Sequence, residues 1–285
     1  MNKPYAEVIG DPIAQSRSPA IHNFWLGKLG IDAGYQAAHV RAEDLIDFLA
    51  QRRADPAWRG CNVTMPHKQA VMPHLGRLHP LAERIGAVNT IVREADGTLT
   101  GYNTDVAGFV EPLRPLLEDR HLFRMARVLG TGGAARAIVT ALANENVVIV
   151  LAGRDPEKAR ALLDELDPGG EHHAVDLTHF ADPTDFDFDD RAGCFDLIVN
   201  ASPLGMAGQP SLRFDFSHAP PGSVVYDIVT HPVATPLLQA ARATGFRTID
   251  GLAMLIGQAA AAFEKFFGQP PPRQHDAELR ALLGA

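Results

Sequence analysis

The chain has 285 residues, 46% hydrophobic and 21% charged, the balance of an ordinary folded enzyme with room for two moderate domains. Its net charge of −8 argues against a general nucleic-acid or membrane-surface binder, because such partners draw on an excess of Lys and Arg. Two cysteines without a CxxC pairing speak against a disulfide scaffold or a structural zinc site, and the twelve histidines show no HExxH spacing, so no metal is expected.

Tyr5 to Ile9 reads as a strand that ends in the turn Gly10-Asp11-Pro12. Ser18-Pro19 opens a helix through about Leu29, with Ser18 as N-cap and Pro19 at the first helical position. Gly34 to Val40 is a second strand, and Ala42 to Arg53 an amphipathic helix with Leu45, Ile46 and Leu49 on one face. Cys61 to Thr64 has the character of a strand end, and Pro66 stops the ladder because it donates no N–H. Lys68 is therefore expected in a loop just beyond a strand, outside the sheet but on a rigid scaffold. Val88 to Arg93 and Thr98 to Tyr102 flank Asp96-Gly97, a hairpin signal.

From about residue 106 helices and strands alternate. Helices are expected over Val106 to Leu117, Ala134 to Ala143 and Pro156 to Leu166. Strands are expected over Arg127 to Leu129, Val147 to Leu151, Phe195 to Val199 and Ser223 to Tyr226, apolar enough for a parallel sheet buried on both faces. Residues 167–194, with Asp182, Asp185, Asp187, Asp189 and Asp190, lack the glycine and spacing of a calcium loop and read as an acidic loop. Thr235-Pro236 starts another helix, and Leu252 to Phe267 forms a long apolar one after the alternation ends. The fold class is α/β. An N-terminal α/β substrate domain (1–105) is followed by a Rossmann-like, doubly wound parallel sheet (106–240), and C-terminal helices (241–285) pack back on the first domain. The N-terminal stretch reaches Pro4 and Glu7 without a secretory apolar region, and no apolar run approaches a bilayer span, so a cytoplasmic location is expected.

The strand ending at Leu129 runs through Gly130-Thr131-Gly132-Gly133-Ala134 directly into a helix. Glycines there let backbone N–H groups approach a pyrophosphate at the helix N-terminus, the mechanism of dinucleotide binding. The next strand ends in Gly153-Arg154-Asp155, with Lys158 four residues beyond Arg154. Arg154 and Lys158 together can clamp a 2′-phosphate, whereas Asp155 either accepts from a ribose 2′-OH or caps the helix that Pro156 begins. NADP is favoured, with NAD left open.

Several polar clusters accompany this loop. They are Gly10-Asp11-Pro12-Ile13-Ala14-Gln15-Ser16-Arg17-Ser18-Pro19, Asn62-Val63-Thr64 with Lys68, Gly86-Ala87-Val88-Asn89-Thr90 and Asn103-Thr104-Asp105. Later come Asn200-Ala201-Ser202, Tyr226-Asp227 with Thr235-Pro236, and Asp250-Gly251-Leu252 with Gln258. In order and spacing, over nearly the whole chain, the set resembles the shikimate dehydrogenase family. The resemblance implies reversible NADPH-linked reduction of the 3-keto group of 3-dehydroshikimate to shikimate. It implies that Ser16 and Ser18 hold the substrate carboxylate, that Thr64, Asn89, Asp105 and Gln258 hold its hydroxyls, and that Lys68 and Asp105 are the catalytic pair. Gly251 joins Gly130, Gly132, Gly133, Ala134, Arg154 and Lys158 as cofactor-binding residues. The partner is thus a small molecule, with no nucleic acid or membrane, and the chain is a monomer or homodimer.

The residue types suit that chemistry. Hydride delivery to a ketone leaves an alkoxide, which needs a proton and a nearby positive charge, and a lysine ammonium offers both. Serine hydroxyls donate to a carboxylate without setting another cation beside Lys68. Two positions depart from the family. Thr230 stands where a Tyr often follows the Tyr-Asp pair, and Gly153-Arg154-Asp155 replaces the usual Asn-Arg-Thr. A quinate/shikimate enzyme using NAD, or a low-activity homologue of the family, is the alternative.

Overall fold

Two six-stranded sheets carry the chain, whose computed structural model describes residues 3–186, 188 and 193–285. They lie in separate compact units, one formed by Met1–Gly108 with Ile256–Ala285 and the other by Phe109–Leu255. Asp187, Asp189 and Asp190 of the acidic segment fall outside the described residues.

In the first unit, β1 (Tyr5–Gly10) runs parallel to β2 (Gly34–His39) on one side and to β3 (Trp58–Val63) on the other. The helices α1 (Ser18–Leu29) and α2 (Leu45–Ala54) make the crossovers that parallel neighbours require. After β3 come α3 (His67–Ala70), β4 (Arg77–Leu78), α4 (Pro80–Ile85) and the antiparallel pair β5 (Thr90–Arg93) and β6 (Leu99–Tyr102). The sheet order is β2-β1-β3-β5-β6-β4. Ile9, Leu45, Leu49, Trp58, Val63, Ile91 and Leu99 meet in its core. Each large apolar side chain so buried contributes about 1.5–3 kcal/mol.

Three local expectations need correction. Arg17, not Ser18, occupies the N-cap of α1, and Ser18 and Pro19 are its first two residues. The nearby hydroxyl that accepts a backbone N–H is that of Ser16, 3.4 Å from Ser18 N. Ile46 is 57% exposed although Leu45 and Leu49 are buried, because one residue turns the helix by about 100°. Lys68 lies in the single turn α3 rather than in a loop.

His22 of α1 is fully buried, stacked on Tyr35 at 4.0 Å, and neither ring nitrogen has a hydrogen-bond partner among the described residues. Burial alone lowers its pKa from 6.5 to about 3. Between those values the unfolded chain binds a proton that the native ring refuses, so stability falls as pH falls. Urea unfolding at pH 7 and about pH 4.5 should show about 2–3 kcal/mol lost to this one group, a loss that His22→Phe removes.

The second unit begins within α5 (Asp105–Val110), at Phe109, and the single helix expected over 106–117 is broken after Val110. Pro112 and Pro115 divide that stretch into α5, a turn of 3-10 helix at Glu111–Leu113, and α6 (Arg114–Leu117). Then β7 (Phe123–Leu129), α7 (Gly133–Asn144), β8 (Val148–Gly153), α8 (Pro156–Leu166), β9 (His173–Asp176), β10 (Cys194–Asn200), β11 (Val224–Asp227), α9 (Pro236–Ala243) and β12 (Arg247–Ile249) alternate. All strand pairs of this sheet are parallel, in the order β9-β8-β7-β10-β11-β12. This is the doubly wound order, with its reversal between β7 and β10, the place where such sheets take ligands. The edge strands β9 and β12 were not expected. At four and three residues, half-buried or exposed, they are too short to show a period. Residues 241–255, grouped by the sequence reading with the C-terminal helices, lie in this unit.

The chain ends with α10 (Gly251–Phe267) and α11 (Asp276–Leu282). From Ile256 onward these belong to the first unit, where Phe263 packs edge-on against Trp25 at 5.5 Å. No helix among the described residues is long and apolar enough to cross a membrane.

Candidate functional site

Lys68 is placed by the way β3 ends. Two turns with cis prolines, Asp11-Pro12 after β1 and Met65-Pro66 after β3, meet where these parallel neighbours finish, and Asp11 N–H donates to Met65 O at 3.0 Å. Thr64 closes β3, with its N–H on Ile9 O and its carbonyl accepting from His67 N–H, so α3 starts at a defined angle. Ser16 and Ser18 follow the first of these turns, Ser18 buried and Ser16 half-buried.

Lys68 Nζ donates to Asp105 Oδ2 at 2.6 Å, with only 16% and 6% of the two side chains exposed. Asp105 begins α5, held there by Asn103, whose Oδ1 accepts Asp105 N–H while its Nδ2 donates to Ala87 O. The other carboxylate oxygen, Oδ1, accepts from Asn89 Nδ2 at 2.8 Å. The same amide nitrogen lies 2.9 Å from Thr104 Oγ1 and 3.3 Å from Gln258 Oε1. Asn89 Oδ1 accepts from Thr104 N–H at 2.7 Å and from Thr90 Oγ1 at 3.0 Å. Lys68, Asn89, Asp105 and Gln258 thus form one hydrogen-bonded cluster. Asn89 is 2% exposed and spends both polar ends inside it.

Thr104, Thr90, Asn62 and Tyr35 complete the cluster without having been assigned roles from sequence. Thr90, Thr104 and Asn62 sat inside quoted motifs, so their neighbours were a signal. Tyr35, on a different strand, carried none.

At the second sheet's reversal point, Gly130 has φ +122°, and a Cβ there would stand 2.8 Å from the Ala201 carbonyl after β10. The bare backbone is what lets the β7 loop pass this close. Gly132 is the N-cap of α7, with no side chain capping the helix, and a Cβ on it would enter open space. Gly133 and Ala134 are the first residues of α7, where N–H groups lack intrahelical partners. Open space facing free donors fits a dinucleotide pyrophosphate. At the end of β8, Asp155 Oδ1 accepts Lys158 N–H at 3.1 Å and caps α8, while Arg154 and Lys158 are exposed. Of the two roles open to Asp155, this one occupies a carboxylate oxygen.

Gly251 is packed instead of open, since a Cβ would lie 2.3 Å from Val229 O. Nearby, the fully buried Asp227 accepts from Asn200 Nδ2 at 3.0 Å, Val229 N–H at 3.0 Å and Thr235 Oγ1 at 2.7 Å. Burial pushes its carboxyl above the usual range, and the three donors oppose this. The group ties β10, β11 and the start of α9 together. Among the described residues no cluster of three or more His, Cys, Asp or Glu side chains is arranged to hold a metal ion.

Two family models match the chain, the shikimate dehydrogenase substrate binding domain over residues 8–91 and the shikimate 5′-dehydrogenase C-terminal domain over 251–278. A relative from Sphingopyxis alaskensis, shikimate dehydrogenase (NADP(+)), is 52% identical over 99% of this chain and 97% of its own. The chain belongs to the shikimate dehydrogenase family. Among solved structures, the shikimate 5-dehydrogenase of Thermus thermophilus, in complex with NADP(H) and shikimate, matches with TM-score 0.79. It is 34% identical, with 98% of this chain and 99% of that one covered. Quinate dehydrogenase from Corynebacterium glutamicum, in complex with NAD, matches at TM-score 0.84 and 33% identity, covering 98% and 99%. Within this shikimate dehydrogenase family member, the first matched segment holds Ser16, Ser18, Thr64, Lys68 and Asn89, and the second Gly251 and Gln258. Asp105 lies outside both, and its place in the site rests on its contacts with Lys68 and Asn89.

Proposed function

We infer that this protein catalyses the reversible NADPH-linked reduction of 3-dehydroshikimate to shikimate, with Lys68 and Asp105 as its catalytic pair. The observation that carries the assignment of the pair is the 2.6 Å contact between Lys68 Nζ and a carboxylate that Asn89 holds from its other side. NADPH supplies the hydride when bound. Reduction leaves an alkoxide on the substrate, to which the Lys68 ammonium gives a proton and beside which it sets a positive charge. In the reverse direction the lysine takes that proton back. Asp105 keeps the ammonium aimed and, with Thr64, Asn89 and Gln258, belongs to the set that holds the ring hydroxyls. Ser16 and Ser18 hold the carboxylate. The donors of Gly132, Gly133 and Ala134 at the start of α7 take the pyrophosphate, with Gly130 and Gly251 keeping the surrounding backbone close.

Arg154 and Lys158 take the 2′-phosphate, a reading supported by the engagement of Asp155 as a helix cap. A charge-assisted bond is worth about 1.5–3 kcal/mol, so Arg154→Ala should raise KM for NADP roughly ten- to hundredfold. KM for NAD should stay unchanged in the same assay. The proposed function itself is tested by following NADPH absorbance with shikimate and NADP at alkaline pH. No signal with any related cyclohexene or cyclohexane acid overturns it.

A second reading, an NAD-linked quinate/shikimate enzyme, is favoured by Thr230 and by the likeness to the Corynebacterium protein. Strict preference for shikimate and NADP in a four-way comparison of kcat/KM discards it. We place the protein in the cytoplasm as a monomer or homodimer that binds neither nucleic acid nor membrane. Light scattering on the purified chain decides between the two assembly states.

A further inference from the structure

A line of buried hydrogen bonds runs from β2 into the cluster around Asp105. Tyr35 Oη lies 2.6 Å from Asn62 Oδ1. Asn62 Nδ2 lies 3.0 Å from Thr90 Oγ1, which lies 3.0 Å from Asn89 Oδ1. Asn89 Nδ2 then reaches Asp105 Oδ1 at 2.8 Å, and Asp105 Oδ2 receives Lys68. Strand register makes this line possible, since β3 and β5 set Asn62 directly opposite Thr90.

Main-chain groups dictate its direction at two points. Thr104 N–H can only donate, so the Asn89 atom that it meets is the amide oxygen, and the amide NH2 must face Asp105. Asn89 O can only accept, so the Asn62 atom 3.3 Å from it is the nitrogen, and the Asn62 oxygen must face Tyr35. Thr90 has one proton, given to Asn89 Oδ1, and therefore accepts from Asn62. Tyr35 closes the line as a donor. Its phenol is 4% exposed and burial pushes it well above its ordinary range, so the proton is there to give.

We propose that Thr90, Asn62 and Tyr35 are positioning residues for the reaction: their one-way line braces the Asn89 amide that Thr104 N–H orients, and so steadies the Asp105 carboxylate that aims Lys68. None of the three needs to touch substrate. Tyr35 is itself clamped, its ring stacked on His22 at 4.0 Å with the planes 2° apart. Thr90 is the link on which the line depends, because among the described residues it joins the Asn62 amide to the Asn89 side chain, whereas Asn62 itself reaches only the Asn89 main-chain carbonyl. The inference rests on Lys68 and Asp105 being the catalytic pair.

The test compares Thr90→Val, Thr90→Ser, Tyr35→Phe and the double variant Tyr35→Phe/Thr90→Val with wild type and Lys68→Ala, using shikimate and NADP. Thr90→Val, which keeps the shape and removes the hydroxyl, should lower kcat about tenfold while KM for NADP holds. Thr90→Ser should restore kcat to within about twofold of wild type. Tyr35→Phe should lower kcat about threefold, and the double variant should match Thr90→Val alone, because a line already cut loses nothing at its far end. Wild-type kcat in Thr90→Val, equal loss in Thr90→Val and Thr90→Ser, or multiplied losses in the double variant would each overturn the inference. If Tyr35→Phe does not fold, the Val and Ser variants of Thr90 decide alone. Wild type without turnover, or an active Lys68→Ala, defeats the catalytic assignment itself. A dead Lys68→Ala beside an unimpaired Thr90→Val defeats only the positioning line.

Discussion

Lys68→Ala should lower kcat about 10²–10⁴-fold, the span that a positioned proton donor contributes, and leave NADP affinity within about twofold. The nitrogen removed is the group 2.6 Å from Asp105 Oδ2. In the proposed reaction its loss would take away both the proton and the positive charge that a nascent alkoxide needs. Asp105 keeps its hydrogen bond from Asn89 Nδ2 and its backbone anchor on Asn103, so the cluster keeps its form without the lysine. Lys68→Arg separates the two contributions. A guanidinium keeps the charge but does not release a proton in this range, so kcat stays low while the substrate still binds. Single-turnover and steady-state measurements at saturating NADP read both variants. An alanine variant with wild-type kcat would remove Lys68 from the chemistry.

Gly130→Ala should be the most damaging change in the second unit. Its φ of +122° is one that side chains rarely adopt, and the added Cβ would stand 2.8 Å from the Ala201 carbonyl. Since the contact is backbone on backbone, neither side can swing away, and a cost of about 2–4 kcal/mol is expected. The displaced loop is the one proposed to hold the pyrophosphate, so NADP affinity should fall at least about a hundredfold with it. Gly132→Ala is the matched control. Its φ is −83° and its Cβ would meet nothing within 4 Å, so the fold should be kept within about 1 kcal/mol. The methyl group would enter the open space assigned to the dinucleotide, so NADP binding should weaken while the melting temperature holds. Thermal melts and fluorescence titration with NADPH distinguish the pair. Equal melting temperatures for Gly130→Ala and wild type would mean that the close passage is relaxed more easily than its geometry indicates.

Much of the architecture was legible because it is written locally. Thr235 before Pro236 and Asp155 before Pro156 cap α9 and α8 through their own side chains, as their residue types demand. The apolar runs in β10, β11 and the second halves of β7 and β8 are buried on both faces, as their composition indicates. The errors fell where neighbours in space overrule neighbours in sequence. Ser18 has the right type for a cap, yet the chain path puts Arg17 in that position. Ile46 is as apolar as Leu45 but points away from the sheet. Strands β9 and β12 form because an existing edge accepts them, and their few residues carry no period of their own.

Residue type and spacing over a few positions were enough to establish the α/β class, the glycine loop between a strand and a helix, and the order of polar residues that marks the family. How those polar residues face one another came from the fold alone. Asn89 reaches Gln258 across 169 positions of chain, and Tyr35 reaches Asn62 across 27. Such bonds depend on strand register and on the donor or acceptor character of backbone groups brought alongside. In the same way Lys68 meets Asp105 across 37 positions, and Asn89 meets the other oxygen of that carboxylate across 16.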